Sequence, residues 1–376
     1  MTRTRPARTL DFTSALYLGL RHPSWALSPW PQLTMGAPAA LRESPAAAEV
    51  AEKVASLMGC ERATLGPSTL HIFWDLFQEL AAPNSIICVD AGTYPIARWG
   101  VERAAARGIL VEDFPHYDPD ALRRRLARES GRRRPLVVTD GFCPRCGRPA
   151  PLADYVEASR RWGGRVVLDD TQALGILGYD AGPRAPYGHG GGGSLRRSAL
   201  AGPDLIVVAS LAKGLGVPLA VLAGGRECVT CFEATSETRV HCSPPSVATL
   251  HAAAHALAVN KTHGERLRAR LTAVVALARR QLTRSGFPIA GGVFPVQTLA
   301  TVRGAAAQFM HHALTRQRVL TVLRRDVGGS GARLTLLLTA RHTARDIAEL
   351  AHVLSNGASA VANSAEVNDD TPASLR

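Results

Sequence analysis

Lysine is scarce in this chain. Of its 44 Lys and Arg residues only Lys53, Lys213 and Lys261 are lysines, so 41 are arginines. Lys213 stands in Ser210-Leu211-Ala212-Lys213-Gly214-Leu215-Gly216, directly after the apolar run Asp204 to Ala209, which reads as a buried strand. Arginine would meet a demand for positive charge, but only a primary amine forms a Schiff base with a carbonyl compound. A second strand-like run, Arg165 to Asp170, leads into Thr171-Gln172-Ala173-Leu174-Gly175. Pyridoxal phosphate chemistry needs a lysine for attachment and an acid against the ring nitrogen, so that the protonated ring acts as an electron sink. The carboxyl ends of strands in an α/β sheet open onto the crevice where ligands bind. Asp169 is therefore the expected acid, Asp170 its alternate, and Gln172 a hydrogen-bond partner for the ring's phenolic oxygen. A plain glycine-rich turn beside solvated carboxylates would leave the joint occurrence of these features unexplained.

The cofactor's phosphate needs donors. Gly66-Pro67-Ser68-Thr69 opens a helical run, and a helix N-terminus with free backbone N–H groups and hydroxyls suits a dianion. Ser68 as a simple N-cap is compatible with the same role. Ser210 offers a further hydroxyl. Tyr94, in a strand-to-helix turn, is placed to stack on the pyridine ring, with ordinary core packing as its plainer role. The run Gly190 to Gly193 has no clear helix after it and reads as a mobile loop rather than a phosphate cradle.

These residues need a frame. From about residue 46 the sequence alternates helix and strand: helices over 46–58, 69–80 and 118–128, and strands over 85–90, 109–114, 135–140, 165–170, 204–210 and 219–224. That alternation argues for a mostly parallel, doubly wound sheet. Residues 246–281 read as one or two helices. After the Gly286-Phe287-Pro288 break the pattern shifts to strands over 294–302, 319–324 and 333–338 with helices over 305–316 and 343–354. The expected organisation is an N-terminal segment 1–45, a large domain 46–285, a small α+β domain 286–356 and a frayed tail 357–376.

A length of 376 residues suits two domains, and 46% hydrophobic content supports a real core. The net charge of +13 is carried by arginine spread along the chain; no nucleic-acid motif and no aromatic interleaving accompany it, so a solvated basic face is expected. Neither a signal peptide nor an apolar run of membrane-spanning length is visible, which points to a soluble cytoplasmic protein. The seven cysteines include two Cys-x-x-Cys pairs, Cys143/Cys146 and Cys228/Cys231, far apart in sequence. A structural zinc needs four ligands, so reduced thiols and no metal are expected. Redox chemistry at Cys143 and Cys146 stays as a weaker alternative.

With these residues in view, the chain resembles the fold-type I pyridoxal phosphate transferases, most closely the α-oxoamine synthase branch that includes the 8-amino-7-oxononanoate synthases. Phe12 to Leu20 is similar to that branch's Tyr-Leu-Gly-Leu segment, Asp169 to Gly178 to its Asp-x-x-His strand end, and Ser210 to Gly216 to its lysine turn. Leu338 to Ile347 is similar to its closing Leu-Thr-Ala-x-His-Thr stretch. The resemblance implies a large domain with a seven-stranded, mostly parallel sheet. It also implies a homodimer with composite sites, to which the segment around Ser243 would contribute. The departures fall where substrate binds. The synthases carry Asn at Ala15, a stacking His at Tyr94, a ring-contacting His at Gln172, and a carboxylate-binding Arg at Thr335, with Arg333 two residues earlier. A kept cofactor shell with a rewritten substrate shell suggests an aminotransferase, with a small-molecule amino donor and acceptor. One alternative is a synthase condensing an amino acid with an acyl-CoA or a carrier-bound acyl group. A catalytically silent binding protein is the third reading.

Overall fold

The structure is a computed structural model that describes residues 8–129, 132–325 and 331–369, with side chains described as far as 357. It divides into two compact units: Leu18–Cys143 with Arg148–Arg268, and Met1–Tyr17 with Pro144–Gly147 and Ala269–Arg376. The sequence placed a boundary at the Gly286 break. The division falls earlier, between Arg268 and Ala269, within the single helix Val247–Arg284.

The larger unit is built on a seven-stranded sheet. Its spatial order is Arg62–Gly66, Ala220–Gly224, Leu205–Ser210, Arg165–Asp169, Arg134–Asp140, Ser85–Asp90 and Leu110–Phe114. Ala220–Gly224 runs antiparallel to both neighbours and every other pairing between adjacent strands is parallel. The central strands are apolar on both faces, as helix-covered parallel strands must be; Ser85–Asp90 and the Ile206–Ala209 stretch are buried throughout. Phe73, Leu76 and Phe77 of the Thr69–Leu80 helix pack into the core that includes Val138, Val167, Ile206 and Val208. The parallel strands therefore end together on one edge, at Gly66, Ser210, Asp169, Asp140 and Asp90.

The smaller unit carries an antiparallel sheet in the order Ile289–Ala290, Val296–Arg303, Ala332–Leu337, Val322–Arg325, with helices Gly304–Arg316 and Ala344–Asp369. The run expected as one strand over 319–324 is broken in two, Val319–Leu320 and Val322–Arg325. The first piece pairs in parallel with Leu10–Asp11. The N-terminal segment and the closing stretch meet here: Leu337 N–H donates to Phe12 O at 2.8 Å and Ala340 N–H to Tyr17 O at 2.8 Å. His342 stacks on Phe12 with ring centroids 4.5 Å apart. Its Nδ1 accepts from Thr339 N–H at 2.9 Å and its Nε2 donates to Asp11 O at 3.0 Å, and burial lowers its pKa. The backbone of the last helix continues to Asp369, past residue 357 where a frayed tail was expected to begin; alanines at 358, 360 and 362 favour helix over coil.

Candidate active site

Two turns carry the chemistry, and both leave the carboxyl edge of the large sheet. Leu205–Ser210 runs into the lysine turn, and the neighbouring Arg165–Asp169 runs into Thr171–Gly175. The turns touch because glycine lets them. A Cβ on Gly214 would lie 2.3 Å from Leu174 O, and Gly175 sits at φ +86 against Gly214. Thr171 ties the two together, its Oγ1 accepting from Ser210 N–H at 3.0 Å. Lys213 is half-buried, whereas Lys53 is ion-paired to Glu49 on an exposed helix face and Lys261 is exposed. Burial lowers the Lys213 pKa, with Asp169 and Asp140 pulling it back up. Its Nζ lies 5.9 Å from the centroid of the Tyr94 ring, which is 55% exposed and so open to a ligand.

Asp169 is buried, with Oδ1 accepting from Thr171 N–H at 3.0 Å. Burial raises its pKa, while the Thr171 donors and the Lys213 amine oppose the rise. Asp170 points elsewhere. Its carboxylate accepts from Ser194 N–H at 2.8 Å and Ser194 Oγ–H at 2.5 Å, and burial pushes it up to about 7. That settles the purpose of the glycine run. Gly193, at φ +87, would place a Cβ 2.0 Å from Asp170 Oδ2, so the run cradles a side-chain carboxylate of this chain. The run that the sequence reads as a mobile loop is hydrogen-bonded at two points: Asn260 Nδ2 donates to Gly190 O at 3.0 Å, and Gly175 N–H donates to Gly191 O at 2.7 Å.

Ser68 is the N-cap of Thr69–Leu80 but does not cap it through its side chain; its hydroxyl instead pairs with His71 Nδ1 at 2.8 Å. The Ser68 side chain therefore does not satisfy the first-turn N–H groups. Ser210 Oγ accepts from Ala212 N–H at 3.2 Å within the lysine turn. Gln172 follows Asp169 by three residues on the adjoining turn. Arg333 and Thr335 lie in the other unit, on Ala332–Leu337. Thr335 is buried and its hydroxyl is engaged with Thr298 Oγ1 at 3.0 Å.

One acid escaped the sequence reading. Asp140 ends the strand beside Asp169, to which it is paired in register, and accepts from Tyr94 N–H at 3.1 Å. Burial and the nearby Asp169 carboxylate hold its pKa well above the usual carboxylate range. Its signal was the same as for Asp169, a carboxylate at the end of an apolar strand.

The arrangement fits pyridoxal phosphate. A desolvated amine, a buried acid lacking a cationic partner on its own strand, an open aromatic ring and an uncapped helix N-terminus match an aldehyde, a pyridinium, a ring face and a phosphate respectively.

Comparison with known proteins agrees. The family profile described as aminotransferase class I and II matches residues 31–354. The chain is 29% identical over 311 residues to an 8-amino-7-oxononanoate synthase of Aromatoleum aromaticum, covering 81% of this chain and 76% of that protein. Among solved structures, a serine palmitoyltransferase from S. paucimobilis with bound PLP superposes with a TM-score of 0.81 at 18% identity, over 94% of this chain and 88% of that one. An 8-amino-7-oxononanoate synthase from Francisella tularensis gives 0.69 at 14% identity, over 93% and 98%. At such identities the structural likeness speaks for a shared fold.

Proposed function

The chain belongs to the class I and II aminotransferase family, and from that membership we propose that it is an α-oxoamine synthase, joining an amino acid to an acyl thioester with loss of carbon dioxide. At the coarser level it is a pyridoxal phosphate-dependent transferase of fold type I. The finer reading departs from the aminotransferase expected from the altered substrate shell. It rests on similarity to an 8-amino-7-oxononanoate synthase across 81% of the chain, lysine turn and Asp169 strand end included. The enzyme is proposed to act as a homodimer on small-molecule substrates, with the acyl group delivered by CoA or a carrier. No helix among the described residues is long and apolar enough to cross a membrane.

Pyridoxal phosphate supplies an aldehyde for attachment to an amine and a protonated ring that accepts the electron pair released at the substrate's α-carbon. Lys213 would hold the cofactor through Nζ, and the same amine would serve as the base for the substrate's α-proton. Burial lowers its pKa, which favours the neutral amine that both tasks need. Asp169 holds the proton on the ring nitrogen. Ser68, Ser210 and the N-terminus of Thr69–Leu80, including Thr69, bind the phosphate. Tyr94 would cover a ring face, and Gln172 would bond the phenolic oxygen. Arg333 and Thr335 are proposed for the substrate carboxylate from the resemblance alone, and the Thr335 hydroxyl is engaged with Thr298.

The deciding experiment incubates cofactor-loaded protein with an amino acid panel, with and without acyl-CoA. Carbon dioxide and free thiol released in equal amounts, only when both substrates are present, are expected. Stoichiometric keto acid from the amino acid alone would return the aminotransferase reading.

A further inference from the structure

Given the cofactor-carrying role proposed for Lys213, we propose that His22 and His255 form a proton-sharing pair that latches the lysine turn, with His22 as its positioning residue. His22 Nε2 lies 2.8 Å from Leu215 O, and its Nδ1 lies 2.9 Å from His255 Nδ1. A carbonyl only accepts, so Nε2 carries a proton and donates it. The Nδ1 of neutral His22 is then a lone pair, and His255 Nδ1–H donates to it. The rings meet edge to face, with centroids 5.2 Å apart and planes at 84°. Leu215 is fully buried two residues beyond Lys213, so its carbonyl needs a donor from within the fold. The turn also closes on itself, through Leu211 N–H to Leu219 O at 2.8 Å and Val217 N–H to Leu211 O at 3.2 Å, but neither bond uses Leu215 O.

A longer contact seats the pair. Residues 22–33 run along the first turns of the Val247–Arg284 helix, where Val247 N–H donates to Leu33 O at 2.9 Å and His251 Nδ1 to Ser28 O at 2.7 Å. Val247, His251 and His255 follow one another at intervals of four and so share one helix face. His255 thus reaches His22 from a regular element. Proton counting gives the pair its character. With no extra proton both bonds stand, and with one extra proton the two Nδ1 atoms still share a hydrogen. A second extra proton makes donors of two Nδ1 atoms 2.9 Å apart, and the contact must open. Around the pair, the helix carries His251, engaged with Ser28, the arm carries exposed Arg21, and the turn carries Lys213, which interacts with Asp169 and Asp140. Burial lowers the His22 pKa, the Leu215 carbonyl opposes this, and the His255 charge adds to it. A base held below its unfolded value of 6.5 contributes its full stability above that pH, and loses it as pH falls through the folded value. The latch is therefore closed at neutral pH and opens in acid, below 6.5.

The test follows hydrogen exchange of the peptide spanning 211–217 in full-length protein, with and without cofactor, from about pH 5 to 8. After correction for the intrinsic rate, wild-type protection should be constant above 6.5 and fall about tenfold or more below it, while circular dichroism is unchanged. His22→Ala should lack that protection throughout. His22→Gln, whose amide can donate to Leu215 O but does not titrate, should keep the protection and lose the acid step. Borohydride trapping of cofactor on Lys213 should follow the same order, near wild type in His22→Gln and slowed about tenfold or more in His22→Ala. His251→Ala, which releases Ser28 O, should leave the turn protected. Wild-type exchange in His22→Ala, an acid step that survives in His22→Gln, equal loss in His251→Ala, or a step that coincides with loss of circular dichroism would each overturn the proposal. Should His22→Ala fail to fold, the acid step in His22→Gln still decides. Exchange in the turn needs no turnover, so failure here leaves the proposed activity to its own test.

Discussion

Lys213 and Asp169 are set apart from their chemical twins by position alone, and that makes their roles separable. Borohydride reduction of loaded protein should map the cofactor to Lys213 and not to Lys53 or Lys261. Cofactor capture by the apoprotein should speed up as pH rises and reach half its maximum below 10.5, because the attacking species is the neutral amine and burial lowers its pKa. Half-saturation at or above 10.5 would contradict the geometry. Asp169→Asn should keep cofactor yet lose roughly a hundredfold or more in turnover. Asp170→Asn should do the reverse, leaving turnover near wild type while lowering stability by about 1–3 kcal/mol as the Ser194 donors lose their carboxylate. A collapse of turnover in Asp170→Asn without loss of fold would reassign the ring acid. Asp170 also carries a pH signature. Its folded pKa of about 7 lies above the unfolded value of 3.8, so its contribution to stability falls as pH rises between those two values, and the Asn variant should lack that slope.

At the scale of elements, glycines set how closely the two catalytic turns approach. Gly214→Ala would drive a Cβ into Leu174 O, and should cost about 1–3 kcal/mol in stability and slow cofactor capture. Gly182→Ala meets nothing within 4 Å and serves as the control. Equal behaviour of the two variants in thermal melts would show that the turns have slack. The elements bearing Ser68, Asp169 and Lys213 were legible in the sequence because each is a long apolar run with a sharp end: Thr69–Leu80 and Ser85–Asp90 were read to the residue. The strand Arg62–Gly66 was not read, being short, at the sheet edge and ending at Gly66-Pro67. The helix Pro95–Ala105 hides behind two apparent breakers. Pro95 stands at its first position, where no N–H is needed, and Gly100 allows the approach of Phe73 O, which a Cβ would meet at 2.2 Å. Asp140 and His22 were missed for a different reason. Their importance comes from what folding brings beside them, and spacing along the chain does not record that.

For the molecule as a whole, the proposed dimer predicts a light-scattering mass of twice 39.9 kDa, and a monomer at micromolar concentration would leave the segment around Ser243 without its proposed role. Sequence alone divided the chain by composition and so assigned residues 8–17 to a separate N-terminal segment. The structure joins them to the C-terminal unit through parallel pairing with Val319–Leu320 and the His342 stack, long-range contacts that no local pattern announces. The distribution of lysines, two on exposed helix faces and one in the buried turn, has a practical consequence. A protease that cuts only after lysine should divide the unmodified chain after residues 53, 213 and 261. Reductive fixation of the cofactor removes the middle cut alone, fusing 54–213 and 214–261 into a single peptide, 54–261. Occupancy of the active site can thus be read as a ratio of peptide masses, with neither substrate nor spectrum required.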